Sequence, residues 1–596
     1  MAEQITSDKL AVKDVLSKWF RVPEYQRPYV WGNDQVTELL DDVFKSHQSN
    51  PDSEYFLGSM VLQKKEKNDD STQYIEYDLL DGQQRLTTLF LIFAVIRDLT
   101  EVSNESRLKS CKEAIYQMAN PDYNIPERLR IIFDIRDNVK SFVANYVKAD
   151  KGTLKEIELR KFVENTKEDI SIRNLATAIL AIHVFFKGHS VDSFFKYLCT
   201  KVLMIYVATE KLDDAFHLFT VMNNRGIKLR NSDILKASNL AKVDANKRTE
   251  YAKKWEKIET YFGEDFDNFL SHLRTILVKQ KAGYNLLKEF EDNIYAPKDF
   301  DRLNKIYIDK KPLLLKGVDT FDFIDKHYEN YTVLFQKDNI SLCNSYEASN
   351  YIAMMSKGFE ADFWIPALLC YFDKYKYAKL LDYIILLDNR FSADWLSGQS
   401  PTDRIENMNK LISKIDSAKA DNPDEVLSSD ELTFDKKNLL NCISEKLYGR
   451  RFARYILLKL DMLYHGHTTS ISFPETISIE HILPQNPDEK SNWVKDFDVI
   501  ERDIWTDRIG NLVLLSCRKN SSQGNLEYSN KKTKYFKSNV ELFSNSIRIY
   551  NTYNEWKPID VKENHQLVIT KFLSAYGVTL SKEEMEKLCD IMPFSL

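Results

Sequence analysis

Glycine and proline are scarce, 16 and 15 in 596 residues, which excludes a collagen-like or low-complexity chain because little in the composition prevents packing. The seven cysteines, at 111, 199, 343, 370, 442, 517 and 589, are odd in number and contain no CxxC pair. That argues against a disulfide framework and a structural zinc site, and reduced thiols are expected. No apolar run reaches the roughly 18 residues of a membrane span; the strongest, Leu86 to Ile96, stops at Arg97 and Asp98. The opening MAEQITSDKL lacks the basic segment and apolar core of a secretory signal. A cytoplasmic protein without a membrane partner is the expectation. Charge of one sign is lacking too: 83 Lys and Arg against 89 Asp and Glu leave a net −6, so any polyanion site must be local. A Walker P-loop is absent, so nucleotide chemistry would need another architecture.

What is present is apolar material, 43% of the chain, enough for roughly three to four domains of about 150 residues. The pattern predicts an α+β protein that is predominantly α-helical. YFLGSMVLQ and YIEYDLL read as strands of a hairpin joined by polar KKEKNDDST. RLTTLFLIFAVIRDL, apolar on almost every face, reads as a buried helix. From about Ala245 to Asn441 the spacing is helical, and ISFPETISIEHILPQNP and IGNLVLLS return to strand and loop. The expected division is 1–243 as an α/β module, 244–425 as a helical connector and 426–596 as a C-terminal domain.

Three clusters mark the N-terminal part. In Asp81-Gly82-Gln83-Gln84-Arg85, Asp81 and Gln84 have the spacing of a capping box, and free helix-start amides beside Arg85 suit a phosphate; a merely well-capped helix fits equally. In Tyr25-Gln26-Arg27-Pro28-Tyr29-Val30-Trp31, alternation puts Tyr25, Arg27, Tyr29 and Trp31 on one side, either to stack a base and pair a phosphate or to fill a core. Asn223-Asn224-Arg225-Gly226 precedes a helix start at Ser232-Asp233. It is either helix punctuation or, with Asp233 and Lys236, part of a nucleotide or DNA pocket.

YQRPYVW, FLGS, DGQQRLTTL and NNRG-x-x-L-x-x-x-D-x-x-K, in that order, closely resemble the module called domain of unknown function 262, related to the ParB-like fold. The resemblance implies a nucleotide-binding, nucleotide-hydrolysing regulatory domain with Asp81, Gly82, Gln83, Gln84 and Arg85, joined by Arg27, at its site. The nucleotide is left open among GTP, ATP and UTP.

Toward the C-terminus, Glu480-His481 is followed by Gly510-Asn511, Asn520, Asn525 and Lys531, Lys532 and Lys534. From Ser516 to Val540 six Lys or Arg face one Glu, a local excess that suits a phosphate backbone. Neighbours in a strand point to opposite faces, so an acid and a histidine that act together here need a local bend. The order acid-His, Asn, Asn resembles the HNH or His-Me finger nucleases, in the variant called domain of unknown function 1524, with a ββα-metal fold. That resemblance implies His481 as general base, Asn511 orienting it, and Glu480 and Asn520 holding Mg²⁺ or Mn²⁺, with Asn525 a rival to Asn520. With the local basic excess, Lys531, Lys532 and Lys534 are the expected DNA contacts. The acid is Glu where many such sites have Asp, and the gap from His481 to Asn511 is long for a compact HNH motif.

The two modules together resemble the single-chain GmrSD-type, modification-dependent (type IV) restriction enzymes of anti-phage defence. The resemblance implies a nucleotide-regulated, metal-dependent endonuclease cutting or nicking modified phage DNA, with room for a homodimer. A ParB-like sensor with an inactive nuclease domain, or an abortive-infection nuclease toxin, are the alternatives.

Overall fold

A computed structural model describes residues 5–23, 26, 28–69, 72–119, 127–133, 137–165, 167–210, 230–301, 306–516, 525–536 and 543–589. The chain divides into two units, residues 1–261 with 316–321, and residues 262–315 with 322–596. The stretch read as a connector is therefore shared between them, and most of it folds with the C-terminal sequence. The chain is α+β and predominantly helical, as its pattern predicts.

The first unit is built on a mixed six-stranded sheet. Its strands are β1 (Thr6–Ala11), β2 (Phe20–Val22), β3 (Tyr55–Asp69), β4 (Thr72–Asp81), β5 (Ile131–Phe133) and β6 (Val202–Thr209), in the order β1-β6-β3-β4-β2-β5. The expected hairpin is β3 with β4, antiparallel from Val61↔Asp81 to Asp69↔Thr72. Most of the polar stretch read as its connection continues the two strands. One face of the sheet, including Met60, Leu62, Leu79, Val202, Met204 and Ala208, is buried. Against this core lies α1 (Gln83–Leu99), in which every residue from Leu86 to Ile96 is buried. A helix with neighbours all round keeps no polar side, which is why its sequence is apolar on every face.

In the same core, α2 (Ile170–Gly188) is, among the described residues, the one helix long and apolar enough to cross a membrane; 10 of its 19 residues are buried inside the fold. Burial against protein accounts for the same composition. The helix expected at Ser232-Asp233 runs over Asn231–Leu240, where Asp233 Oδ2 accepts from the Arg230 N–H at 3.0 Å. Asn223, Asn224, Arg225 and Gly226 lie outside the described residues.

The second unit is mainly helical, with one departure from expectation in the middle of the chain. Lys298–Asp301 pairs antiparallel with Ile306–Asp309, because Phe300, Ile306, Tyr307 and Ile308 are the aromatic and β-branched residues that strands favour. Toward the C-terminus α3 (Ala453–His465) leads to β7 (Ile477–His481), β8 (Leu512–Ser516), α4 (Tyr528–Phe536), α5 (Ser544–Thr552) and α6 (Pro558–Ser574). Strands β7 and β8 pair antiparallel and α4 follows them. An aromatic core including Trp493, Trp505, Tyr528, Tyr550 and Trp556 packs there, with Tyr528 and Trp556 stacked at 5.7 Å. Cys111, Cys199, Cys343, Cys370 and Cys442 are free.

A buried carboxylate on α3 links this packing to pH. Asp461 accepts from the Asn545 N–H at the start of α5, 3.0 Å away, and its charge is opposed by burial rather than held by a cation. Burial raises its carboxyl to about 7, only partly offset by the backbone donors, against about 4 in an unfolded chain. Between those values the folded protein holds a proton that the unfolded chain has lost. The stability intact below pH 4 is therefore eroded as pH rises and stays lost above 7. Asp461→Asn is expected to raise the melting temperature more at pH 8 than at pH 5, since its amide oxygen still accepts from Asn545. A melt that rises equally at both pH values would show that Asp461 is charged throughout.

Candidate active site

At the N-terminal motif the strand-to-helix turn is made by Gly82, which caps α1 in the left-handed region at φ 89°. A Cβ there would lie 2.7 Å from Met60 Cγ. The cap residue is Gly82, not Asp81, and it makes no side-chain bond to the helix start. Gln84 reaches the opposite way. Its Oε1 accepts from the Val30 and Trp31 N–H groups at 2.8 and 3.3 Å, and its Nε2 donates to Pro28 O at 3.0 Å. The 28–31 segment is thus an ordered loop pinned to α1, and Gln26 Nε2 ties it to Leu80 O at 2.8 Å. Tyr29 is buried, its hydroxyl 2.8 Å from Thr88 Oγ1, so this ring packs in the core. Tyr25 and Arg27 lie outside the described residues.

Arg85 is also engaged within the fold. Its guanidinium donates to Leu57 O at 3.2 Å and Ser59 O at 2.8 Å, and Asp81 lies 3.7 Å away. Gly58 makes room for it, since a Cβ at that position would fall 1.6 Å from Arg85 Nη1. FLGS and DGQQR are therefore two halves of one contact, an arginine that braces the irregular pairing of β3 with β6 at Phe56–Gly58. These bonds use two of the five guanidinium N–H donors, so a phosphate would meet the remaining donors or displace the carbonyls. Gln83 is buried beside it.

The C-terminal constellation divides by strand parity. The register across the hairpin is regular, Glu480↔Val513 and His481↔Leu512, so the local bend that a shared acid-histidine site needs is absent. Glu480 and His481 point to opposite faces. Glu480, 8% exposed, lies on the side of Val513 and the aromatic core, where Lys531 Nζ of α4 donates to its Oε1 at 2.7 Å and to His481 O at 2.6 Å. Burial pushes the Glu480 carboxyl up and the Lys531 ammonium down, each shift opposed by the partner charge. The pair is thus a desolvated internal bridge. Lys531 has no exposed surface, which removes it from the expected DNA contacts. Lys532 is half-buried and donates to Tyr553 O at 3.0 Å; Lys534 is exposed.

His481 faces a different set. Its Nε2 is 3.1 Å from Asp507 Oδ1, which also accepts from Gln485 Nε2 at 3.0 Å. A carboxylate only accepts, so Nε2 carries the hydrogen and Nδ1 is left with a lone pair. The Tyr448 ring lies across the imidazole, centroids 4.2 Å apart. Burial pushes the imidazole below its ordinary value, Asp507 pulls it back up, and Lys531 opposes protonation again. Neither Asp507 nor Tyr448 is among the residues expected from the sequence. The only trace of Asp507 there is its place in WTDRIGN, four residues ahead of Asn511.

Asn511 has no exposed surface, and its carboxamide is fully committed. Its Oδ1 accepts from Leu483 N at 2.8 Å and Trp556 Nε1 at 3.1 Å, while Nδ2 donates to Leu483 O and Thr506 O, each at 2.9 Å. Any influence on His481 is therefore indirect, through the backbone at Leu483 and at Thr506, the residue before Asp507. Gly510 is required beside it, because a Cβ there would lie 2.7 Å from the Cα of His565 on α6.

Among the described residues no three acidic, histidine or cysteine side chains gather as a metal-binding group. Glu480 is held by Lys531, Asn525 is exposed, and Asn520 lies outside the described residues. The described donors therefore do not fit a Mg²⁺ or Mn²⁺ site by themselves. What they can do is the chemistry of an imidazole with one free nitrogen and a carboxylate behind the other.

Comparison with known families gives two matches. A family model described as the N-terminal domain of GmrSD restriction endonuclease matches residues 9–240, and one described as the C-terminal domain of GmrSD restriction endonucleases matches residues 432–567. Among curated proteins none matches.

Proposed function

The chain belongs to the GmrSD restriction endonuclease family, whose members act on DNA, and from that premise we propose that it is a nucleotide-regulated, HNH-type nuclease that cuts or nicks modified foreign DNA in anti-phage defence in the cytoplasm. The observation that carries this reading is the Asp507–His481 pair at the end of the β7–β8 hairpin. Nδ1 of a neutral imidazole can take the proton from a water attacking a phosphodiester, while Asp507 holds the Nε2–H and stabilises the imidazolium that forms. The depressed His481 basicity favours the neutral form at neutral pH. Dependence on Mg²⁺ or Mn²⁺ rests on the family resemblance.

Regulation by GTP, ATP or UTP rests on resemblance as well, supported by the left-handed Gly82 turn at the start of α1. Arg85 would offer a phosphate its remaining donors or exchange the carbonyls of Leu57 and Ser59 for it, so Arg85→Ala is the variant that reports on this step.

The test is cleavage of unmodified, glucosylated hydroxymethylcytosine-containing and phosphorothioated DNA, with Mg²⁺ or Mn²⁺ and each NTP in turn. Wild type is expected to cut one of the modified DNAs, and His481→Ala to lose about 100- to 10,000-fold in rate. A nucleotide response that Arg85→Ala abolishes supports the gate. A wild type that binds DNA or nucleotide but cuts nothing would leave the sensor reading, and cleavage of RNA in preference to DNA the toxin reading.

A further inference from the structure

Of the expected DNA contacts on α4, Lys531 has no exposed surface and Lys532 is bonded to Tyr553, while Lys534 is exposed; a second basic segment lies beside His481. Residues 446–454, KLYGRRFAR, carry Lys446, Arg450, Arg451 and Arg454 and no acid, a local charge of +4 in a chain of net −6. This segment is fixed to the candidate active site. The Leu447 and Tyr448 N–H groups both donate to Asp507 O, at 2.8 and 3.0 Å, and the Tyr448 ring lies 4.2 Å from the imidazole of His481.

His481 keeps only 8% of its surface, whereas Tyr448, packed on it, is 41% exposed. A substrate approaching the imidazole therefore meets Tyr448 and the residues that follow it. Gly449, at φ 81°, turns the chain directly after the tyrosine. Arg450 and Arg451 come two and three residues beyond Tyr448, within roughly 7 and 11 Å along even a fully extended chain. Both are exposed, and among the described residues they pair with surface carboxylates, Arg450 with Glu445 at 3.0 Å and Arg451 with Glu360 at 2.8 Å. Pairs of that kind are worth little in water and are readily exchanged for phosphate oxygens, to which an arginine can bind bidentately.

We propose that the 447–451 loop is a DNA-docking element of this nuclease: Arg450 and Arg451 take backbone phosphates beside the scissile bond, and Tyr448 fixes the loop to the Asp507–His481 pair. The proposal rests on the endonuclease reading above. A duplex is the partner this surface fits, because separated guanidiniums on an exposed turn match a row of phosphates, and no concave pocket for a small anion is needed.

The test uses the full chain carrying His481→Ala, with fluorescence anisotropy on a labelled duplex from about 50 to about 200 mM salt. Arg450→Gln with Arg451→Gln is expected to weaken binding at least tenfold at the low end. It should flatten the slope of log affinity against log salt by about 1.8, or 0.9 for each phosphate that is no longer neutralised. Lys109→Gln with Lys161→Gln, two exposed lysines of the first unit, should leave the slope unchanged. In the active enzyme the arginine pair should raise KM with little change in kcat, and melting should match wild type. An unchanged slope, or an equal change in the lysine control, overturns the docking role while wild-type cleavage keeps the endonuclease reading. A wild type that neither binds nor cuts DNA overturns both.

Discussion

Lys531→Ala is expected to destabilise the C-terminal unit by about 3–5 kcal/mol, the usual cost of removing one partner from a buried ion pair. The ammonium has no exposed surface, and its bonds go to Glu480 Oε1 and His481 O. Its removal strands a carboxylate that burial already pushes above its ordinary value. Glu480 can escape part of this cost by protonating. The variant then holds a proton that its unfolded chain releases near pH 4, so its deficit grows as pH rises from 5 to 8. Adding Glu480→Gln to Lys531→Met should recover most of the loss, because the site is then left with no unpaired charge. Denaturant unfolding of the two variants at both pH values checks this. If Lys531 were instead a DNA contact, alanine would leave stability within about 0.5 kcal/mol and flatten the salt dependence of DNA binding by about 0.9.

That contrast shows what the sequence could and could not reveal. Alternation and helical periodicity are local, so the β3–β4 hairpin, the buried helix α1 and the helical middle were legible from residue order. The partner of a charged side chain is not local. Lys531 sits in a Lys-rich stretch that resembles a solvated or DNA-facing surface, and nothing within that stretch reveals that one lysine in it meets a glutamate 51 positions earlier. Arg85 is similar: nothing within DGQQR reveals that its guanidinium lies in the space left by Gly58 of FLGS and donates to the carbonyls on either side of it. Parity, by contrast, was available. Adjacent residues of a strand point apart, so Glu480 and His481 could act together only across a bend, and the pairing is regular through both. The residue behind His481 comes from outside the strand, and Asp507 is therefore invisible to a reading that looks for the acid next to the histidine.

Asp507→Asn is expected to lower cleavage by about 100- to 10,000-fold, the range associated with losing a correctly disposed general base. The amide can donate to Nε2, which places the imidazole hydrogen on Nδ1 and blocks the nitrogen proposed to take the proton from water. The same change shifts the pH profile in a defined direction. Burial lowers the basicity of His481 and Asp507 raises it, so removing the carboxylate depresses the imidazole further. For kcat/KM the acid limb, which follows His481 in the free enzyme, should be centred below the ordinary histidine value in wild type and move to still lower pH in Asp507→Asn, while the plateau falls. A residue that merely supported the fold would lower the plateau without moving the limb, and one that served as the base itself would abolish the limb. An acid limb that moves upward in the variant would mean that Asp507 does not face a titrating His481 in the working enzyme.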